Sequence, residues 1–479
     1  MPIVFADIHC HPSMKPFGLS FQSNNHTAQS NQPNMPTSTW YKNKPGIGDK
    51  VANELGGLTL FTQSDYQTLQ KGNMRFVVSS IYPVEKGFVA SHGLLGEKLI
   101  EKVMGIGANR INYIQKHNNY YADAKNEYDF LMQLNDVAIN IDGQAFMYRT
   151  LTSGKDIEKL QSMYSNSNVI INVISIEGGH ALNCGLPGIK ANTDDVLANV
   201  EKIRKWTHRP FFITLAHHFY NELCGHARSL HLPLQKQLKI NQNQYLDTGI
   251  NPLGFDVINA MLQNRDGCRI LVDIKHMSRQ SRLQYFEIAK TKQVPIIASH
   301  AGVTGLHNPQ GHETIKGASK KFMTDDINFY DDEIIAIAAS DGLIGIQLDE
   351  RRMASNDALF EANTTDLTYR WEKWAELLWR QFFHIAQVLD NESMYAWDCI
   401  CIGSDFDGLI NPIGPYWTAA ETEELYKQLL KHASQTVPGY RWQFAANNAS
   451  PKLIADKIMS TNAIGFVAKH YTTAINPAI

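Results

Sequence analysis

The sequence predicts an α/β protein, a (β/α)8 barrel of the TIM type with polar loop insertions and C-terminal helices. Eight short runs rich in Val, Ile and Phe recur along the 479 residues. Most are apolar throughout rather than alternating, as expected of parallel strands covered on both faces. Helical patterns lie between several of the runs, and strands alternating with helices imply βαβ units and a parallel sheet. Eight such units argue for a closed barrel; a doubly wound open sheet is the alternative.

The eight runs cover residues 3–9, 75–82, 169–176, 211–217, 269–276, 295–300, 343–348 and 399–403. After the third, Thr193 reads as the N-cap of a helix carrying Val196, Leu197, Val200 and Ile203. After the fourth, Pro252 suits the first turn of a helix with Phe255, Val257, Ile258 and Leu262. Asp331 and Asp332 open a helix through Ala339, where the helix dipole favours acidic residues. Residues 371–389 place Trp374, Leu377, Leu378 and Phe382 on one side of a further helix. Residues 18–50 are rich in Asn, Gln, Ser and Pro; they follow the first strand, so they read as a surface loop or as a lid over the barrel mouth. Residues 221–250 form a second polar insertion, after the fourth strand. Residues 418–479 read as helices packed on the barrel. The whole chain, 1–479, is read as one catalytic domain, since barrels of this size form single units.

Lys+Arg total 44 against 47 Asp+Glu, a formal net charge of -3. Without a long basic run, nothing points to nucleic acid or to an anionic membrane. No apolar stretch reaches the roughly 18 residues that span a bilayer. The N-terminus lacks the basic flank, apolar core and cleavage site of a signal peptide, so a cytoplasmic location is the simplest expectation. The six cysteines permit but do not imply disulfides. Cys399 and Cys401, two apart in an apolar run, are read as buried thiols rather than as a metal or redox pair.

Metal-competent side chains concentrate at the C-terminal ends of the strands. They are His9 and His11 in Asp7-Ile8-His9-Cys10-His11, Glu177 and His180, His217 and His218, His276, His300, and Asp405 in Gly403-Ser404-Asp405-Phe406-Asp407-Gly408. In a barrel these ends converge on one mouth. His9 and His11 are two apart on a strand end, so both imidazoles can reach one cation. A lone strand-end histidine is ordinarily structural. Five strand ends bearing His or Glu resist that reading, because burying unpaired imidazoles and carboxylates costs several kcal/mol. His9, His11, Glu177, His276 and His300 are therefore the candidate ligands of two divalent ions. Glu177 is the natural bridge, as a carboxylate can hold two cations about 3.5–4 Å apart. Zinc suits such histidines, although ligand softness alone leaves manganese, iron and cobalt open.

In these segments, and in Ile213-Thr214-Leu215-Ala216-His217, Leu271-Val272-Asp273-Ile274-Lys275-His276 and Pro295-Ile296-Ile297-Ala298-Ser299-His300, the sequence resembles the membrane (renal) dipeptidase family, a branch of the amidohydrolase-type metal hydrolases. The resemblance implies a binuclear zinc barrel that cleaves dipeptides, and a homodimer. Carried over by position, it implies that His9 binds the first ion, that Glu177 bridges, and that His276 and His300 bind the second. His217 would polarise the scissile carbonyl, and Asp405 would carry the proton of the attacking water.

Two departures stand out. The family pattern His-x-Asp on the first strand reads His9-Cys10-His11 here. The Arg-Arg-Asn stretch that takes the substrate carboxylate is replaced by Asp326-Ile327-Asn328. Arg351 and Arg352 are the possible substitutes, although surface arginines are the plainer reading. Lys275, beside His276 on the strand, should point away from the site. Asp407 is read as shaping the loop after Asp405, and His312, His384, His432 and His470 as structural or solvated. The expected activity is metal-dependent cleavage of dipeptides or similar small substrates. The alternatives are a related hydrolase or deaminase for a non-peptide amide, lactone or phosphoester, and a metal-loaded barrel that only binds its ligand.

Overall fold

The computed structural model describes all residues except 1–3, 23–24, 29–30, 34, 57–58, 90–99, 158, 160–167, 231–239, 265–266, 365, 367 and 473–479. Eight parallel strands follow one another around the sheet in chain order. They are β1 (Phe5–Cys10), β2 (Met74–Ile81), β3 (Val169–Glu177), β4 (Phe212–Thr214), β5 (Leu271–Asp273), β6 (Ile297–Ala301), β7 (Leu343–Ile346) and β8 (Ile400–Ile402). Each falls on one of the eight apolar runs, with Ile3 outside the described residues. The ring closes just beyond β8. The amide of Asp405 donates to His9 O at 2.9 Å, and that of His11 to Phe406 O at 2.8 Å. Closure is thus made by the backbone of residues whose side chains form the site.

One apolar cluster draws on all eight strands: Ala6, Ile8, Phe76, Val78, Val173, Phe212, Leu271, Ile297, Leu343 and Cys401. It fills the barrel as a packed core rather than a pore. The same cluster takes in Phe466, Val467 and Tyr471, so the helix Asn462–His470 and its last turn plug the end opposite the site. A larger cluster packs the outward faces of the strands against the surrounding helices, including Val196, Val200, Ile258, Trp374 and Phe382. Two side chains brace the ring by hydrogen bonds. Asp7 accepts from the amides of His9 and Ser404, each at 3.0 Å. Asp273 accepts from Thr214 Oγ1 and Ser299 Oγ, each at 2.6 Å, tying β4, β5 and β6 together.

The predicted helices form at Thr193–Arg204, Pro252–Leu262, Asp331–Ala339 and Arg370–Asn391. The first is capped by Asn192 rather than Thr193, since the Asn192 side chain accepts from the Asp195 amide. Glu333 reinforces the third, accepting from the Tyr330 amide at 3.0 Å. One hairpin has no counterpart in the sequence reading. Its strands are Ile139–Ile141 and Gln144–Thr150, and the second runs parallel to the first half of β3. It covers an edge of β3 that short β4, paired only at Ile176 and Glu177, leaves open.

Residues 18–50 are more structured than their composition suggests. They include a short antiparallel pair, Phe21–Gln22 with Asn25–Ala28, and the start of the helix Ile47–Gly56. Trp40 is fully buried beside Tyr66 and Tyr148 on the barrel flank. In the 221–250 insertion, Ser229, Leu230 and Ile240 fold back over the catalytic face. Beyond residue 418 the chain forms helices Thr422–Thr436, Pro451–Asp456 and Asn462–His470. Cys399 and Cys401 are buried without a disulfide. Among the described residues, no helix is long and apolar enough to cross a membrane.

Candidate metal centre

Glu177, the last residue of β3, stands at the middle of the barrel mouth. Its Oε2 lies 3.0 Å from His11 Nε2 and 3.7 Å from His9 Nε2. Its Oε1 lies 3.3 Å from His217 Nε2, 3.3 Å from His276 Nε2 and 3.4 Å from His300 Nε2. One oxygen thus faces the β1 pair and the other faces the histidines that follow β4 and β5 and the one near the end of β6. Asp405 joins the first group, its Oδ1 being 3.6 Å from His9 Nε2 and 3.4 Å from His11 Nε2. The structure therefore brings together all five sequence-derived ligand candidates, His217 and Asp405.

The nitrogens crowd each other as well. His9 and His11 Nε2 are 3.1 Å apart, and His276 and His300 Nε2 are 3.3 Å apart. The ligand atoms of His9, Glu177, His300 and Asp405 all lie within 4.8 Å of one another, as do those of His217, His218 and His276. His218 is thus a further nitrogen at the rim, with its Nδ1 2.7 Å from Ser229 Oγ.

Electrostatics sorts the histidines into two groups. Burial opposes charge on His11, yet the carboxylates of Asp405 and Glu177 outweigh it and raise its pKa to about 10. Burial holds His276 and His300 well below the usual imidazole value, helped by His217 and His9 respectively. They stay neutral, the state in which imidazole binds metal. Burial likewise opposes charge on His217, but Glu85 and Glu177 outweigh it and raise its pKa to about 10, so the carboxylates favour positive charge at His11 and His217 while His276 and His300 keep free lone pairs. Asp405 Oδ1 is buried without a hydrogen-bond partner. Imidazole nitrogens around a shared carboxylate are a donor set for zinc-like divalent ions, so the residues present fit a metal centre.

The residues around the cluster set its orientation. Glu85, just beyond β2, places Oε2 2.7 Å from His217 Nδ1 and accepts the amides of His218 and Phe219 through Oε1. Tyr82 OH also donates to Glu85, at 2.7 Å. Burial opposes ionisation of Glu85, but His217 and His180 outweigh it and hold the pKa at about 2. With Nδ1 so occupied, His217 turns Nε2 toward the cleft. Gln347 Nε2 donates to Asp405 Oδ2 at 2.7 Å. Neither Glu85 nor Gln347 stood out in the sequence; the one available signal was a polar residue just past an apolar run. Asp407 accepts the amides of Gln63 and Ser64, at 3.0 and 2.8 Å, and pairs with Lys15 at 2.9 Å. It shapes the loop, as expected. His384 and His432 are held by Asp331 and by the Glu372 carbonyl.

Two expectations are corrected. Lys275 lines the cleft instead of pointing away from it. β5 stops at Asp273, and residues 274–277 form a turn closed by the Met277 amide on Ile274 O at 3.2 Å. His276 sits there at φ 65°, so strand alternation no longer separates the two side chains. Arg352 is buried and Arg351 part-buried rather than plainly on the surface, and both line the same cleft. The cleft encloses about 70 Å³, and Phe88, Met104, Leu230 and Ile410 give it an apolar wall.

The sequence profile of the membrane dipeptidase family, peptidase family M19, matches residues 59–443. The chain belongs to that family. It is accordingly a metal-dependent, dipeptidase-like hydrolase built on the family's barrel. Solved structures share the fold at low identity. A metallopeptidase from Rhodobacter sphaeroides, liganded with a phosphinate mimic of the dipeptide L-Ala-D-Ala, is 13% identical with a TM-score of 0.53, over 98% of this chain and 99% of that one. The probable dipeptidase PvdM from Pseudomonas aeruginosa is 14% identical with a TM-score of 0.53, over 98% and 96%. A dipeptidase described as an M19 metallopeptidase is 12% identical with a TM-score of 0.50, over 86% and 90%. No curated protein sequence matches the chain significantly.

Proposed function

We propose that this dipeptidase-like hydrolase works with two divalent ions, most simply zinc. His9, His11 and Glu177 would hold one, and Glu177, His276 and His300 the other. The observation that carries this reading is the split of Glu177, with Oε2 toward His11 at 3.0 Å and Oε1 toward His276 and His300 at 3.3 and 3.4 Å. When bound, such ions supply Lewis acidity that acidifies water and polarises a carbonyl.

The protein's own groups do the rest. His217, fixed at Nδ1 by Glu85, presents Nε2 to the cleft and donates to the carbonyl oxygen as negative charge builds there. Asp405 accepts the water proton at Oδ1 and passes it to the departing amine nitrogen. Gln347 steadies its other oxygen during both transfers. The products are a carboxylic acid and an amine. His11 in place of an aspartate leaves one fewer negative charge on the β1 side.

Metal analysis of the purified protein should find about two ions per chain, as expected for a carboxylate-bridged pair. A panel of dipeptides, N-acyl amino acids and lactones should show turnover of dipeptides. Turnover of lactones or N-acyl compounds alone would favour the related amidohydrolase reading and reject this substrate assignment.

A further inference from the structure

The cleft contains two buried basic side chains that the chemistry above does not use. Lys275 and Arg352 are 1% and 7% exposed. Both line the cleft beside Glu177 and Asp405. Lys275 Nζ and Arg352 Nη1 have no hydrogen-bond partner among the described residues. A buried nitrogen donor left unpaired is costly, and folded proteins ordinarily satisfy such groups.

The carboxylates facing the same space are directed to other groups. Arg351 grips Asp349, Nε to Oδ1 at 2.9 Å and Nη2 to Oδ2 at 2.8 Å, and also donates to Leu409 O. Glu177 is ringed by imidazoles, and Asp405 is shared between Gln347 and the β1 histidines. Arg352 is anchored from behind. Its Nη2 donates to Ser229 O, and its own carbonyl accepts from Asn328 Nδ2 at 2.7 Å. The turn at 274–277 that directs Lys275 inward also places His276, so the amine is held next to the metal centre.

We propose that Lys275 and Arg352 form an anion subsite that receives a carboxylate of the substrate. Two separate donors suit the two oxygens of one carboxylate. The substrate class is then an amide bearing a free carboxylate within reach of the scissile bond, with its side chain against the apolar wall. Arg351 takes no part, because its guanidinium is committed to Asp349. This proposal rests on the amide-hydrolase reading above and narrows it.

The test uses metal-loaded enzyme and a reduced dipeptide, in which a CH2–NH link replaces the amide and resists hydrolysis. Its C-terminal carboxamide is the neutral control. Calorimetric titration of both ligands gives an acid-to-carboxamide affinity ratio for wild type, Lys275→Met and Arg352→Met, with metal content measured on each protein. The expected wild-type ratio is about 30, the range of hydrogen bonds to a charged group, and it should fall below about 5 in each variant. A wild-type ratio near one, or a ratio that survives both substitutions, overturns the subsite. If Arg352→Met does not fold, Arg352→Lys takes its place; it keeps the charge but loses the fork, and an unchanged ratio in it and in Lys275→Met is equally fatal. Failure of the wider reading looks different. An acid preference without turnover of any dipeptide would remove the dipeptidase assignment and leave the subsite. Equal kcat/KM for a dipeptide and its carboxamide would do the reverse.

Discussion

Replacing Glu127 by Gln should make the protein less sensitive to alkaline pH. Glu127 is fully buried beneath the site; its Oε1 meets Ser13 Oγ at 2.7 Å and its Oε2 accepts the Tyr82 amide at 3.0 Å. The nearby Arg110 is saturated by Asp123, with both guanidinium contacts at 2.6 Å. Burial therefore outweighs the hydrogen bonds and raises the Glu127 pKa from 4.5 to about 7. Below pH 4.5 folded and unfolded chains both hold the proton. Between 4.5 and 7 the unfolded chain releases it while the fold retains it, so stability declines as pH rises. At about 1.4 kcal/mol per pH unit, this gap amounts to about 3 kcal/mol above pH 7. Unfolding entropy near 2.1 cal/mol/K per residue gives about 1 kcal/mol/K for a chain of this length, so the effect on Tm is about 3 °C. Gln can donate to Ser13 and accept from Tyr82, mimicking the protonated acid. Thermal unfolding at pH 5 and pH 8 should show the variant gaining about 3 °C on wild type between the two. Parallel pH profiles for the two proteins would refute the argument.

Other outcomes follow from the same geometry. Asp405→Asn should lower kcat by roughly 10²–10⁴ while metal content stays at the wild-type level, since it removes the proton acceptor and keeps the shape; full activity in that variant would remove Asp405 from its role. Chelation should abolish turnover and lower Tm by about 8 °C, the effect of losing two ions each present at about a thousand times its dissociation constant, with readdition of Zn²⁺ reversing both. Glu85→Gln should reduce kcat by roughly 10–100-fold with metal content unchanged, because His217 loses the carboxylate that orients its ring; an equal loss of bound metal would show that Glu85 supports the cluster as a whole rather than His217.

The strand pattern and the histidines were legible together because both are local. Residues 169–176 and 343–348 are predominantly apolar, as expected of strands covered on both faces, and the polar site residues gather at the C-terminal ends of the strands. Once the ring is assumed, His9, His11, Glu177, His276 and His300 meet of necessity. The hairpin at residues 139–150 was not legible, since its second strand is defined by an edge of β3 far along the chain. Glu85 was hidden for a similar reason: a single carboxylate past a strand has no periodicity, and its value comes from the 2.7 Å contact with a histidine 132 residues away.

By itself the sequence determined the barrel and the chemical character of its mouth, because hydrophobic periodicity and metal-ligand types are properties of neighbouring residues. Only the tertiary structure decided which polar side chains face the cleft. Lys275 turns inward because the backbone leaves β5 at Asp273 and carries His276 through φ 65°. Arg351 is spent on Asp349 while Arg352 keeps a free donor, a distinction between adjacent residues of one type. Direction and pairing depend on backbone turns and on partners brought from distant strands, and neither is written in local composition.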